Sequence, residues 1–227
     1  MEVQVLSRAQ LKKAPHGVFL IVLGKQANDF ACAYRICKIQ DSSPIRICYN
    51  YIMLYTRKGD KGKTTIFHCN QSLSKSSIVA EALGTLDEVN SYLGVIKSKA
   101  EEQNIEIVQR IQENLFIIQA EIAGAPKKID KKEILKIEKI INAIEKELPP
   151  IKTFFISGAT VLSAEFDFAR TLVRRAERRV VAVHEEGLVK VSPNTLIYIN
   201  RLSSLLYALA RHLAYKSGIK ESAPAYK

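Results

Sequence analysis

The stretch Tyr55-Thr-Arg-Lys-Gly-Asp-Lys-Gly-Lys-Thr-Thr65 gathers the groups that a polyphosphate needs. Gly59 and Gly62 let the backbone approach a ligand closely, and Arg57, Lys58, Lys61 and Lys63 supply positive charge. Thr56, Thr64 and Thr65 add hydroxyl donors, while Asp60 could hold a loop amide or a Mg²⁺ ion. The GxxxxGK[ST] spacing of a Walker A loop is missing, as is its strand-loop-helix setting. By composition alone, a solvated basic turn is the commoner reading of such a stretch.

A second constellation is Arg170, Arg174, Arg175, Glu177, Arg178 and Arg179. Arg170, Arg174 and Arg178 recur every four residues, so on a helix they form one stripe beside the apolar stripe of Ala169, Val173, Ala176 and Val180. Guanidinium groups beside a buried seam are costly unless anions meet them. Acids on a neighbouring helix would meet that need, and so would a ligand. Glu177 is suited to brace Arg174 or to bind a ligand hydroxyl. A third set, Asn200, Ser204, Tyr207 and Arg211, lies at near-helical spacing, and a buried hydrogen-bond network would explain it equally well. Asp87 and Asn90 are polar intrusions in an apolar pattern, and Asp87 is a plausible partner for an arginine of the stripe, in the same chain or an adjoining one.

Apolar spacing of three and four residues recurs five times and supplies the elements that must position these groups. Val79, Leu83, Leu86, Leu93 and Ile96 mark a first helix, interrupted at Asn90. Val108, Ile111, Leu115, Ile118 and Ile122 mark a second, and Ile134, Ile137, Ile141, Ile144 and Leu148 a third. Leu162, Phe166, Ala169, Val173, Ala176, Val180 and Val183 define a long fourth, and Ile199, Leu202, Leu206, Leu209 and Leu213 a fifth. Short loops between amphipathic helices predict an all-α fold, an antiparallel five-helix bundle, preceded by the basic loop. Gly124 with Pro126, Pro149-Pro150, Gly187, Ser192-Pro193 and Gly218 are the expected breaks. Phe154-Phe155-Ile156 before the fourth helix reads most simply as its apolar entry packing.

Of 227 residues, 34 are Lys or Arg and 23 Asp or Glu, a net charge of +11, which calls for an anionic partner: nucleic acid, a membrane surface or a phosphorylated small molecule. With 47% hydrophobic and 25% charged residues the chain reads as globular, not disordered. Cys32, Cys37, Cys48 and Cys69 form no CxxC pair, and His16, His68, His184 and His212 are scattered, so no metal site is expected and the thiols read as free in a reducing compartment, the cytoplasm. The run Val18 to Leu23 is too short to span a bilayer. Residues 1–52 lack helical periodicity, carry β-leaning runs at Val18–Leu23 and Ile45–Tyr51, and hold most of the cysteines. They read either as a small accessory subdomain or, preferably, as an extension of doubtful origin from an early start, disordered or absent in the cell, ahead of a helical domain over 53–227.

Four separated motifs agree in order and spacing with one family. They are Tyr55-Thr-Arg-Lys-Gly-Asp-Lys-Gly-Lys-Thr64, Glu81-Ala-Leu-Gly-Thr-Leu-Asp-Glu-Val-Asn90, Arg174-Arg-Ala-Glu-Arg178 and Asn200-Arg-Leu-Ser203. From about Met53 to Tyr215 the chain resembles the PduO-type ATP:cob(I)alamin adenosyltransferases, and residues 1–52 fall outside the resemblance. The resemblance implies a four-helix-bundle core plus an extra helix, preceded by a nucleotide-binding loop, and a homotrimer with ATP at each subunit interface and cobalamin as the second substrate. It implies that Thr56, Arg57, Gly59, Asp60, Gly62 and Thr64 surround the nucleotide and that Lys75 reaches the triphosphate with its Mg²⁺. Arg174 and Arg178 would hold phosphates, Glu177 the ribose or a bracing bond, and Asn200 the nucleoside side.

By the same resemblance, Asp87 and Arg170 match an intersubunit salt bridge, and Phe154 matches the aromatic that closes the lower face of the corrin. The implied reaction has no protein nucleophile: Co(II) is reduced to Co(I), which attacks the 5′ carbon of ATP and expels inorganic triphosphate. A reductase and an adenosylcobalamin-dependent enzyme would be its partners, with no role for nucleic acid or membrane. Two positions depart from the pattern. Ser157-Gly158-Ala159 stands where the family commonly has Pro-Gly-Gly, and Ser204 stands where it has Asp. The rival readings are a basic helical bundle that binds RNA or DNA, and a non-catalytic nucleotide-sensing protein of the same fold.

Overall fold

The computed structural model describes Tyr55, Arg57, residues 59–65 and residues 72–225. By its contacts the chain divides into two units, Met1–Tyr55 and Thr56–Lys227. The β-leaning runs, the four cysteines, the boundary expected at 52/53, and Thr56 all lie outside the described residues.

Two short strands open the described part of the second unit, β1 (Lys63–Thr65) and β2 (Ser72–Ser74), paired antiparallel with Lys63 opposite Ser74. Five helices follow: α1 (Ile78–Lys97), α2 (Glu102–Ile122), α3 (Lys131–Glu147), α4 (Val161–Glu185) and α5 (Pro193–Lys216). The expected breaks fall between them. Four of the helices begin on the side-chain acceptor that the sequence provides. Ser77 accepts from the Ala80 amide, Asp130 from Lys132, Thr160 from Ser163 in a capping box, and Ser192 from Thr195 with Pro193 in the first turn.

Each apolar stripe faces one core. Leu86, Leu93, Ile111, Ile118, Phe166, Val180, Leu202 and Leu206 are at most 1% exposed, and only stripe margins such as Leu83, Ile141, Leu162 and Leu213 stay half-buried. Removing a large side chain there would cost about 2–5 kcal/mol through lost transfer energy and the cavity left behind.

Side-chain bonds between helices fix their directions. Glu81 pairs with Arg179, Glu88 with Arg175 and Lys99 with Glu165, so α1 and α4 run antiparallel. Lys97 meets Gln109, while Gln112 donates to the Asn90 carbonyl, giving the same relation for α1 and α2. Asn200 bonds Glu177 and Arg211 bonds Asp167, which sets α5 against α4. Glu121 meets Ser192 and Thr195 while Asn114 meets Tyr198, which sets α5 against α2. α1, α2, α5 and α4 therefore close an antiparallel four-helix ring. The extra helix is α3: Glu138 pairs with Arg201 and Glu147 with His212, so α3 runs parallel to α5 and antiparallel to its chain neighbours α2 and α4, and the five helices alternate in direction as the short loops predict.

Glu121 joins two elements that no sequence period links. It is 4% exposed. One oxygen accepts the Ser192 amide at 2.7 Å and the other the fully buried Thr195 hydroxyl at 2.6 Å. A carboxylate from the last turn of α2 thus sits on the positive end of α5. Glu121→Ala strands both donors and should lower unfolding free energy by about 2–3 kcal/mol. A urea titration giving a loss below about 0.5 kcal/mol, the scale of a surface substitution, would reject this role.

Candidate functional site

The basic loop is tied to the segment just before α1. The Gly62 amide donates to the Gly59 carbonyl at 3.1 Å and the Asp60 amide to the Arg57 carbonyl at 3.4 Å, each bond closing on a residue three before it. Gly62 has φ of 71°, a left-handed conformation that a side chain would strain. Arg57 takes the same region at φ 58°, uncommon for a residue with a Cβ and typical of loops shaped around a ligand. The Lys75 amide donates to the Gly62 carbonyl at 2.9 Å, and β1–β2 pairing carries the chain back to that point. A Cβ on Gly59 would lie 2.8 Å from the Lys75 ammonium, so that amine rests over the bare face of the glycine. Gly59, Gly62 and Lys75 therefore converge, with Asp60 and Lys61 exposed at the tip and Thr64 half-buried in β1.

The arginines of α4 divide by partner. Arg175 pairs with Glu88 and Arg179 with Glu81, both from α1. Arg170 bonds Asp167 at 3.3 Å and lies 5.9 Å from the Tyr207 ring centroid. Arg174 and Arg178 are exposed and have no acid partner among the described residues; Arg178 donates only to the Arg174 carbonyl, at 3.0 Å. Glu177 braces Asn200, not Arg174: the Asn200 amide donates to Oε1 at 2.9 Å, and Arg201 donates to the Asn200 oxygen at 3.1 Å. The face of α4 and α5 that carries Arg174, Glu177, Arg178 and Asn200 thus holds two unneutralised guanidiniums beside a fixed amide-carboxylate pair. Asp87 is exposed on α1 and has no ion-pair partner among the described residues.

Phe154 is 77% exposed in the irregular segment between α3 and α4, so it is not the entry packing that its apolar neighbours suggested. Phe155 next to it is half-buried, with its ring centroid 5.7 Å from the Arg211 guanidinium. Gly158 has φ of 119°, so the departure at Ser157-Gly158-Ala159 keeps a glycine where the backbone needs one.

Arg211 carries a network that sequence spacing only half disclosed. It is 3% exposed, pairs with Asp167 of α4 and Glu221 of the C-terminal tail, and lies 5.2 Å from the Tyr207 centroid. Asn200 and Ser204, grouped with it by spacing, are exposed, so the buried-network reading fits Arg211 and Tyr207 alone. Burial pushes the Glu221 carboxyl above its ordinary range, while Arg211 draws it back. Asp167 was hidden because it follows Phe166 on the inner side of α4, and Glu221 because no helical period reaches the tail. Among the described residues no cluster of His, Cys, Asp and Glu could hold a metal ion, and no helix is long and apolar enough to cross a membrane.

A family model, cobalamin adenosyltransferase, matches residues 54–213. The corrinoid adenosyltransferase PduO of Citrobacter freundii is 39% identical over 177 residues, covering 73% of this chain and 52% of that protein. PduO of Salmonella typhimurium is 40% identical over 166 residues, covering 70% and 48%. The chain thus spans about half the length of these relatives. The corrinoid adenosyltransferase of Bacillus subtilis is 34% identical over 176 residues, covering 73% of this chain and 89% of that one. Among solved structures, a variant of the PduO-type ATP:corrinoid adenosyltransferase from Lactobacillus reuteri, complexed with cobalamin and ATP, superposes with a TM-score of 0.71 at 30% identity. It covers 76% of this chain and 99% of that chain.

Proposed function

The chain belongs to the cobalamin adenosyltransferase family, and from that premise we propose that it transfers the 5′-deoxyadenosyl group of ATP to the cobalt of a reduced corrinoid, releasing inorganic triphosphate. The observation that carries the reading is the convergence of Gly59, Gly62 and Lys75 at the head of α1, a backbone cradle with an ammonium over it. A triphosphate is the ligand such a cradle suits. Thr56, Arg57, Asp60 and Thr64 complete the loop around the nucleotide. Mg²⁺ would travel on the phosphate oxygens, with Asp60 the carboxylate that the loop offers.

Arg174 and Arg178, without an acid partner among the described residues, neutralise the leaving triphosphate. Glu177 and Asn200 hold each other in place for the ribose and base. In the transfer, the Co(I) electron pair forms the bond to the 5′ carbon as the carbon–oxygen bond to the triphosphate breaks. No protein nucleophile is required. The protein's share is to align the two substrates, place positive charge where negative charge develops, and exclude water. Phe154, standing exposed on its loop, closes the lower face of the corrinoid.

The reading further proposes a cytoplasmic homotrimer in which Asp87 meets Arg170 of an adjoining subunit. Asp87 is exposed for that purpose, while Arg170 would be shared with Asp167. A reductase would supply Co(I), and an adenosylcobalamin-dependent enzyme would take the product. Residues 53–227 form the enzyme and residues 1–52 an extension, whose retention an intact mass of the native protein would decide.

The direct test mixes protein, ATP and chemically reduced corrinoid without oxygen and follows the spectrum of the adenosylated product. A flat spectrum, or binding to RNA or DNA that ignores ATP and weakens steeply with salt, would reject the proposal. Gly59→Ala provides a second check. The added Cβ displaces the Lys75 ammonium and no backbone atom within 3.4 Å, so the fold should hold while ATP affinity falls about tenfold, the scale of one charge-assisted hydrogen bond. Calorimetric titration giving unchanged affinity would remove Lys75 from the site.

A further inference from the structure

The segment between α3 and α4 has little to hold it. Among the described residues, one backbone hydrogen bond outside helices and strands involves residues 149–159: the Ile156 amide donates to the Ser222 carbonyl at 2.9 Å. The other tie is the Arg211 guanidinium, 5.7 Å from the Phe155 ring centroid. Both ties lead to the C-terminal tail, because Glu221, the residue before Ser222, is the second carboxylate of the buried Arg211.

A guanidinium that is 3% exposed would be unstable without carboxylates around it, and Asp167 from the neighbouring helix already supplies one. The second carboxylate comes from the tail, beyond the end of α5 at Lys216. Its effect is to bring the tail across to the loop, where one ring contact and one hydrogen bond hold Phe155 and Ile156, the two residues after Phe154.

We propose that the Asp167–Arg211–Glu221 cluster anchors the C-terminal tail as a strap across the Phe154 loop, which makes Arg211 and Glu221 positioning residues for the corrinoid half of the reaction. The proposal rests on the reading that Phe154 faces the corrinoid. It adds that the loop's placement is imposed from the tail, through residues that touch neither substrate. Loss of Glu221 should release the strap while leaving Asp167 to satisfy Arg211, so the helical ring survives. Misplacement of a positioned group by about 1 Å can cost two orders of magnitude in rate.

The test compares the full-length protein with Glu221→Ala and Glu221→Gln, which retains an acceptor for Arg211. Hydrogen exchange, calorimetric ATP titration and adenosylation from Co(II) and from chemically supplied Co(I) are measured on each. In Glu221→Ala the exchange of peptides covering residues 149–158 should quicken while those of α1, α4 and α5 stay as in wild type. Adenosylation from Co(II) should fall about tenfold, with the Co(I) rate and ATP affinity within about twofold of wild type, and Glu221→Gln should recover most of the loss. Unchanged loop exchange overturns the proposal, as does a loosened loop with a wild-type Co(II) rate. Helices that lose protection together would assign Glu221 to fold stability and overturn it too. A wild-type protein that fails to adenosylate at all rejects the proposed function itself, and the strap's catalytic role falls with it.

Discussion

Arg174→Ala is expected to leave the helical bundle folded and to slow formation of the cobalt–carbon bond by about 10²–10³-fold, the cost of removing a group aimed at charge that develops in the transition state. The structural half follows from exposure and partners. Arg174 is exposed and no acid pairs with it among the described residues, so its removal strands no carboxylate. The change in unfolding free energy should stay within about 0.5 kcal/mol. The kinetic half follows from the contrast along the same helix. Arg175 and Arg179 already meet Glu88 and Glu81, and exposed pairs of that kind contribute about 0–1 kcal/mol. Arg179→Ala is therefore the internal control: it removes the same charge and side-chain type and should cost less than threefold in rate, in line with an exposed pair. Circular dichroism and gel filtration check the fold, and anaerobic spectrophotometry the reaction. Equal losses in the two variants would mean that net charge on α4 matters and the position of Arg174 does not, and near-normal turnover in Arg174→Ala would remove that residue from the site.

That contrast also shows how far the sequence could be read. The stripe at 170, 174 and 178 follows from the helical period, but the period cannot tell which arginines are already neutralised. That depends on Glu81 and Glu88, which reach α4 only because α1 packs antiparallel to it. The core was legible for the complementary reason. Residues three and four apart share a face, so every position of the second stripe, from Val108 to Ile122, is buried. The directions of the helices were legible as well, since short loops turn the chain back at every connection, but the side-chain pairing of α3 with α5 was not. Nor was Glu121, a lone acid near a helix end whose partners Ser192 and Thr195 are about seventy residues away.

The loop motif shows the same divide. Its glycines and lysines were visible as a cluster, while the approach of Lys75 to Gly59 depends on the β1–β2 pairing, which spans too few residues to show alternation. Phe154 is the clearest case of a local pattern that misleads. Three consecutive apolar residues before a helix suggest packing, yet the middle one alone turns inward, held beneath Arg211, and Phe154 stays 77% exposed.

That exposure sets the terms for the second large effect. Phe154→Ala deletes a side chain that buries little surface, so stability should change by less than about 0.5 kcal/mol and ATP should bind as before. A large aromatic kept in water is unfavourable by itself, which is consistent with a surface that is covered only when a substrate arrives. With corrinoid bound, the ring would take the place of the lower axial base. The absence of that ligand matters for the electron transfer and much less for the alkylation. A four-coordinate, desolvated Co(II) accepts an electron at a less negative potential, because axial donation that favours the oxidised metal has been removed. Once Co(I) is formed, its electron pair attacks the 5′ carbon from the opposite face, and what hold that step back are alignment and leaving-group charge, which the proposed function assigns to Lys75 and Arg174. Phe154→Ala should therefore slow the reaction from Co(II) by about 10²-fold, equivalent to about 3 kcal/mol in the barrier. From chemically supplied Co(I) the loss should be under about threefold, less than 1 kcal/mol. Parallel stopped-flow traces from the two starting states read this split directly. Equal losses would move Phe154 from displacing the lower ligand to holding the corrinoid as a whole, and no loss from either state would remove it from the site.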